Sequence, residues 1–538
     1  MACAPAIAPA PAAPAPSAPA APGQPAPSPA VAAPKRGGII AYAQRAVLQT
    51  LHPWKGDITI TRAFSGVYEP LLRMDHREGV DFRRERELKP GLAERWENVD
   101  PTTFVFHLRK NVKWHDGKPF TADDVVYSLE TWTDAAKAPE PRRSVGGLVA
   151  TVEATDPFTV KVTTKRVSAD FLGMFAFQRN VFIGPKHVED LAKTVVGTGP
   201  FKVVKATPTS VIIVERNPDF YLPERPYLDG GKVFVGMEEQ QQQAAFIAKE
   251  LDLINLGDQA QFDALKKQVP EAKNTSYLQT NGYSLYPRQD RPPFNDLRVR
   301  KALHLAIDRQ GLIKTATFGA GGINPPGGLG LHAFSIPQEE LLKLPGYRQP
   351  KDADIAEAKR LLAEAGYPQG FKFGIQSPRD AVGTPALVEA TAHQLKAAGI
   401  DAEVLLQERA VFLENQRNGD FDAWLNVIHS DPPSEGLQAF YHSKGTLNKG
   451  GINDAELDTL IDEQDRTLDR KRAGELNQRI QRIVLEKLYT IPAVELPAFA
   501  FWHPWLRDYP LSYSAQPYIP QWEGTWVDTD KAPRRNLQ

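Results

Sequence analysis

The sequence predicts an α/β protein made of several structural units, and three observations lead to this prediction. With 538 residues, the chain is longer than one hydrophobic core usually serves, which favours about three units. Strand patterns dominate the first half, whereas strands and helices alternate in the second half. Hydrophobic residues make up 42% of the chain and charged residues 24%, which is typical of globular proteins.

The first half is predicted to be mixed, with much β structure. Phe104, Phe106 and Leu108 alternate along one strand and share one face. Thr121 is a suitable N-cap for a helix, because two aspartates follow it and favour the positive end of the helix dipole. Folded sequence is expected to begin near 37–38. Strands are predicted at 39–43, 103–109, 158–163 and 210–215.

The second half contains a β-α-β-α-β run, which predicts parallel strands joined by helical crossovers. The predicted elements are a helix at 354–365, a strand at 371–375, a helix at 385–398, a strand at 403–406, a helix at 411–418 and a strand at 421–428. In such a sheet, ligands bind beyond the carboxyl ends of the strands. The first residues past the last strand are His429, Ser430 and Asp431, followed by two prolines. This stretch is therefore a candidate ligand site.

The N-terminal segment has a different composition from the rest of the chain. From Ala4 to Pro34 it contains only Ala, Pro, Ser, Gly, Gln, Val and Ile, so we expect a disordered tether with polyproline II character. The only cysteine, Cys3, precedes it and excludes an intrachain disulfide. Two interpretations remain open, a chance residue and a lipid-modified cysteine exposed by removal of a signal peptide.

Several classes of protein are disfavoured by charge and motif content. The 64 Lys and Arg residues balance 65 Asp and Glu residues, so no nucleic-acid partner is expected. No apolar run reaches 18 residues, so no transmembrane helix is predicted. The 11 histidines form no i,i+4 pair, and no phosphate-binding loop or hydrolase motif is present, so neither a metal site nor a cofactor is predicted. Paired carboxylates such as Asp123-Asp124 are attributed to helix starts rather than to catalysis.

Several ordered motifs resemble one known family. The resemblance is to solute-binding protein family 5, the peptide, oligopeptide and nickel receptors of ABC importers, and it spans roughly residues 37–504. The motifs that carry it are Leu88–Trp96 (LKPGLAERW), Phe104–Arg109 (FVFHLR), Val112–Phe120 (VKWHDGKPF), Thr121–Leu129 (TADDVVYSL), Gly197–Phe201 (GTGPF), Pro292–Leu303 (PPFNDLRVRKAL), Ala306–Arg309 (AIDR) and Ala356–Pro368 (AEAKRLLAEAGYP). We expect Trp114, Asp116, Gly117 and Phe120 to build a turn and part of the core.

The resemblance implies a two-lobed, periplasmic-binding-protein-like fold of type II, enlarged with an extra subdomain, with the ligand enclosed between the lobes. After a tether at 1–36, lobe I would comprise 37–282, with the subdomain at about 71–195. Lobe II would comprise 283–500, and residues 501–538 would return to lobe I. The hinge would lie at Gly282–Tyr286 and Ala498–Phe501.

The resemblance also implies roles for five residues. Asp431 matches the family aspartate that pairs with the α-ammonium of a peptide, although Ile428 stands where relatives have tryptophan. His429 is available for a metal chelate, and Ser430, which lies between His429 and Asp431 in the sequence, is a further candidate for ligand binding. Arg288 is available for a ligand carboxylate or phosphate, or is a surface arginine beside Asp290. Trp424 offers a stacking surface for the ligand, or belongs to the core.

The predicted function is that of an extracytoplasmic receptor of an ABC importer, and not an enzyme. It would capture a small polar solute, either a peptide or another amine-bearing compound, and deliver it to the permease subunits. We expect a monomer at the periplasmic or extracellular face of the membrane, anchored by a lipid on Cys3. Two alternatives stay open: an exported hydrolase acting on saccharides or peptides, and a ligand sensor that uses the same cleft.

Overall fold

The structure is a computed structural model whose described residues are 33–55, 60, 63–64, 66–74, 87–177, 181–326, 334–379, 383–428, 433–509 and 522–537. Contacts divide the chain into two units, Met1–Pro34 and Lys35–Gln538. Cys3 and almost all of the predicted tether lie outside the described residues. Every helix and strand of the described part belongs to the second unit.

The described part combines many short strands with helices concentrated in the second half. Its strands are β1 (Ile39–Gln44), β2 (Leu72–Met74), β3 (Leu88–Pro90), β4 (Ala93–Asp100), β5 (Thr103–Leu108), β6 (Val149–Asp156), β7 (Thr159–Thr164), β8 (Phe201–Thr207), β9 (Val211–Arg216), β10 (Gly230–Val235), β11 (Leu253–Leu256), β12 (Lys273–Pro287), β13 (Gly322–Ile323), β14 (Lys372–Pro378), β15 (Asp401–Gln407), β16 (Ala423–Ile428), β17 (Ile491–Trp502), β18 (Leu506–Arg507) and β19 (Trp526–Val527). Its α-helices are α1 (Ala122–Trp132), α2 (Pro139–Arg143), α3 (Val145–Leu148), α4 (Phe171–Phe177), α5 (Glu239–Ile247), α6 (Gln259–Gln268), α7 (Leu297–Ala306), α8 (Arg309–Ala316), α9 (Gln338–Leu341), α10 (Asp352–Glu364), α11 (Thr384–Leu395), α12 (Arg409–Asn418), α13 (Pro433–Gly436), α14 (Ala455–Arg466) and α15 (Arg470–Lys487).

Two four-stranded sheets lie in the first half of the described chain. One has the order β1-β10-β9-β8, and the other has the order β4-β5-β7-β6. The second sheet and α1 share a core that includes Phe106, Trp114 and Phe120. The helix start predicted at Thr121 is confirmed, because its N–H donates to Asp124 Oδ2 at 3.0 Å in a capping box.

A seven-stranded sheet contains strands from both halves of the chain, in the order β11-β17-β12-β16-β14-β15, with β13 paired to β17. Strand β14 is parallel to both β15 and β16. The predicted β-α-β-α-β run is therefore confirmed as β14, α11, β15, α12 and β16. Its apolar side chains meet those of α7 and α10 in one core.

We use the predicted bounds to name the parts: lobe I for 37–282 with 501–538, the subdomain for 71–195 within it, and lobe II for 283–500. The long strands β12 and β17 run antiparallel beside each other through both lobes. After β17 the chain packs on lobe I, where the buried Asp252 carboxylate accepts from Trp505 Nε1 at 2.7 Å and Arg535 Nη1 at 2.6 Å. This buried carboxylate ties the returning segment to the first lobe.

Candidate functional site

The two lobes are joined along β12 and β17, where both predicted hinge segments lie. The pairing of these strands shifts register on either side of Gly282. The Asn324 side chain lies against Gly282 and donates from Nδ2 to the Tyr283 carbonyl at 2.7 Å and to Ser284 Oγ at 3.1 Å. A Cβ atom at Gly282 would overlap Asn324 Oδ1. A side chain at position 282 would therefore require the Asn324 side chain to move.

The carboxyl ends of β14, β15 and β16 lie at one edge of the lobe II sheet, because these strands are parallel. Ile428, the last residue of β16, is paired with Gly282. This edge therefore lies where β12 passes between the lobes, and it is the place where open α/β sheets bind ligands. The predicted site residues His429, Ser430 and Asp431 follow directly and lie outside the described residues.

The described chain resumes at Pro433, and the next residue, Ser434, contacts the subdomain. Ser434 donates from its backbone N–H to Asp170 Oδ2 at 3.3 Å, and its hydroxyl donates to the same oxygen. Nearby, Ser168 Oγ donates to Asp465 Oδ1 at 3.0 Å, and the Ala169 N–H donates to the Asp465 carbonyl at 2.6 Å. The segment that follows the candidate site thus lies at a contact between the two lobes.

Trp424, predicted to offer a stacking surface, is enclosed in lobe II with only 1% of its surface exposed. Its ring stacks on Tyr286 with centroids 4.8 Å apart and an interplanar angle of 14°. Phe412 and Phe440 pack against other sides of the indole. The Tyr286 hydroxyl donates to the Phe440 carbonyl at 2.9 Å, and burial raises its pKa. This environment supports the core alternative for Trp424.

Arg288, predicted to meet a ligand carboxylate or phosphate, is engaged within lobe II. It donates from Nε and Nη2 to the two Asp290 carboxylate oxygens at 2.8 and 2.5 Å. Its Nη1 donates to the Gly419 carbonyl, and its guanidinium carbon lies 5.5 Å from the centre of the Phe421 ring. Hydrogen bonds from Arg288 hold the pKa of Asp290 below its usual value. This geometry supports the pairing with Asp290, but the Arg288 side chain is only 16% exposed and is therefore more covered than the predicted surface arginine.

A comparison with known protein families decides the class of this site. Residues 87–448 match the family of bacterial extracellular solute-binding proteins, family 5. The chain belongs to this family. As a family 5 protein, it is a solute receptor of an ABC importer, as the motif resemblance predicted.

Relatives and solved structures agree with this assignment. Heme-binding protein A from Haemophilus influenzae is 27% identical over 490 residues, covering 81% of this chain and 85% of that protein. Di/tripeptide-binding protein 1 from Pseudomonas aeruginosa is 27% identical over 462 residues, covering 79% of this chain and 83% of that protein. The solved DppA protein from Helicobacter pylori, in complex with the peptide STSA, has a TM-score of 0.75 at 21% identity, covering 92% of this chain and 99% of that one. The predicted two-lobed α/β fold is thereby confirmed.

Neither a metal-binding cluster nor a membrane-spanning helix is found in the described ranges of this family 5 protein. There, no group of three His, Cys, Asp or Glu side chains is placed to hold a metal ion. In the same ranges, no helix combines the length and apolar character needed to cross a membrane. His429, the residue predicted to be available for a metal chelate, is outside these ranges.

Sequence reasoning missed the polar residues that join the lobes. Asp170 and Ser434 are 264 positions apart, and Ser168 and Asp465 are 297 positions apart. The local sequence around Asp170 indicates only that this residue precedes a helix. No pattern within one segment indicates a contact over such a separation.

Proposed function

We propose that this receptor captures a peptide or another amine-bearing solute between its lobes, with Asp431 as the principal anchor of the cationic group. It returns the solute unchanged to the permease, since the relatives are binding proteins rather than enzymes. We further propose that it acts as a monomer anchored to the membrane through a lipid on Cys3. Binding and release would then take place at the extracytoplasmic face of the membrane.

The observation that carries this proposal is the position of the residues on either side of the candidate stretch. Ile428 ends β16 beside Gly282, where β12 passes between the lobes. Ser434 contacts Asp170 of the opposite lobe. The described residues on either side of the candidate stretch, Ile428 and Ser434, therefore both lie where the two lobes meet.

The chemistry of Asp431 supports an amine-bearing solute. A carboxylate enclosed between two lobes loses water and requires a cationic or hydrogen-bonding partner, because an unpaired buried charge is strongly destabilising. An ammonium group supplies both the charge and the donors. Two names among the relatives fit this chemistry, the di/tripeptide-binding protein and the oligopeptide-binding protein OppA of Escherichia coli.

The decisive experiment combines solute identification with one substitution. The purified protein is denatured, and the solute that co-purified with it is identified by mass spectrometry. Its affinity is then measured by calorimetry for the parent protein and for Asp431→Asn, which keeps the size of the side chain and removes the charge. We expect the binding free energy to weaken by about 2–5 kcal/mol. Unchanged affinity would refute the role of Asp431.

Asp420→Asn is the matched control for this measurement. Asp420 is exposed and precedes β16, at the end of that strand opposite to the candidate stretch. The same charge is removed from the same lobe, so a general electrostatic effect on binding would appear in both variants. We expect only Asp431→Asn to weaken binding.

The membrane anchor is tested separately from solute binding. If Cys3 carries lipid, the native protein partitions into detergent, whereas Cys3→Ser remains in the aqueous phase. Affinity for the solute should be the same in both forms, because Cys3→Ser changes only the proposed anchor and no proposed contact of the solute. Equal partitioning of the two forms would contradict the anchor and would leave the proposed binding role intact.

A further inference from the structure

Five polar residues join the subdomain to lobe II, and we call them the clasp. Arg166, Ser168 and Asp170 lie between β7 and α4 of the subdomain, whereas Ser434 and Asp465 belong to α13 and α14 of lobe II. Ser168 donates to Asp465 and Ser434 donates to Asp170. Arg166 forms an ion pair with Asp465. Each lobe thus supplies one carboxylate and the other lobe supplies its donors.

Burial shows that the clasp is enclosed rather than a contact between exposed side chains. Ser168, Ser434 and Asp465 each expose only 2% of their surface. The Arg166 side chain remains 45% exposed, so its charge stays partly solvated. A carboxylate as buried as Asp465 requires donors, and the subdomain supplies its ion pair and the Ser168 hydrogen bond. When the lobes separate, water can replace these partners.

We propose that the clasp stabilises the closed arrangement of the lobes when no solute is bound. This inference rests on the proposed function, since it concerns closure of the same receptor. A receptor whose closed form is already populated loses less affinity to the cost of closing than one that is open when free. The clasp therefore sets how much of the closure free energy the chain supplies and how much the solute must supply.

The clasp also connects Asp170 to the first described residues after the candidate stretch. Ser434 is the second residue after the 429–432 stretch, and both of its donors are directed to Asp170. The subdomain thereby contacts α13, the first described element after that stretch.

The test measures lobe closure without any solute. In a Cys3→Ser background, dyes are attached at Lys137→Cys in the subdomain and Glu475→Cys in lobe II, whose parent side chains are 69% and 54% exposed. Solute is removed by unfolding and refolding, and energy transfer between the dyes reports the closed fraction. The variants are Asp465→Asn and Ser168→Ala, which remove the same contact from opposite lobes.

We expect each variant to raise the ratio of open to closed protein, by about tenfold for Asp465→Asn, because it removes hydrogen bonding to a charged group. The double variant should show less than the product of the two single effects, because both act on one contact. Glu463→Gln on α14 and Glu153→Gln on β6, both exposed, should leave the ratio unchanged.

An unchanged closed fraction in both clasp variants would overturn the clasp. If the melting temperature fell at the same time, the contact would contribute only to the stability of the fold. Because no solute is present, the result is independent of the Asp431 experiment. The prediction for Asp431→Asn can therefore be wrong while the prediction for the clasp is right, and the reverse can also occur.

Discussion

Two buried carboxylates of this receptor have similar chemistry and different consequences. Asp252 and Asp465 expose 0% and 2% of their surface, and each is paired with an arginine. The partners of Asp252 all belong to lobe I, including the Ala41 N–H at 2.7 Å. The side-chain partners of Asp465 belong to the opposite lobe.

The difference shows that the location of the partners, and not burial alone, decides what a buried charge does. The partners of Asp252 can leave only if the first and last segments of lobe I separate, which amounts to unfolding. The partners of Asp465 can leave when the lobes open, and the carboxylate is then hydrated. We therefore expect Asp252 to govern the free energy of unfolding and Asp465 to govern the equilibrium between open and closed forms.

Among the substitutions that test this comparison, Asp252→Asn has the largest expected effect. Loss of the charge leaves the Arg535 guanidinium, whose side chain is only 12% exposed, without its counterion, so we expect the free energy of unfolding to fall by about 3–5 kcal/mol. Urea denaturation measures it. Asp229→Asn is the control, since the Asp229 side chain is 57% exposed in its pair with Arg216 and should cost less than about 1 kcal/mol. If Asp465→Asn lowered stability as much as Asp252→Asn does, the comparison would fail.

A smaller effect is expected at the hinge, which lies between these two regions. Gly282→Ala places a Cβ atom against Asn324 Oδ1, and we expect a loss of about 1–3 kcal/mol in the free energy of unfolding. Asn324→Ala removes the atom that the new Cβ would meet. Gly282→Ala should therefore lower the free energy of unfolding less in the Asn324→Ala background than in the parent protein. Thermal and urea unfolding of the four proteins measure this coupling. Additive losses would show that the two side chains do not collide.

Local patterns in the sequence were sufficient for most of the fold. The helix that begins after Thr121 and the alternating strand at 103–108 follow from capping and from period-two burial, which depend on neighbouring residues. The parallel run from β14 to β16 follows from the alternation of strands and helices. The family motifs then supplied the two-lobed arrangement, which no local pattern specifies.

The candidate site could be predicted only in part, because its remaining contacts are not local. The edge beyond β16 follows from strand direction, so its position was accessible from the sequence. Whether Trp424 faces a solute or Tyr286 depends on α12, the turn at Leu437–Tyr441 and other elements that pack around it. The clasp requires lobes distant in sequence to meet, and its residues are ordinary polar side chains.

The smallest expected effect distinguishes the two interpretations of Arg288. Arg288→Gln removes the bidentate pair with Asp290, whose side chain is 43% exposed, so we expect a loss of less than about 1 kcal/mol in stability and no change in affinity for the identified solute. Because the pair holds the pKa of Asp290 below its ordinary value of 3.8, its contribution is present above that pH and is lost as the pH falls through the lower value of the folded protein. The parent protein should therefore lose slightly more stability between pH 5 and pH 2 than Arg288→Gln does, as measured by urea unfolding. Asp290→Asn should give a similar or smaller loss, because Arg288 keeps its contacts with Gly419 and Phe421, and the double variant should add nothing to the loss of Arg288→Gln. A tenfold loss of affinity in Arg288→Gln, with affinity unchanged in Asp290→Asn, would instead make the guanidinium a direct contact of the solute.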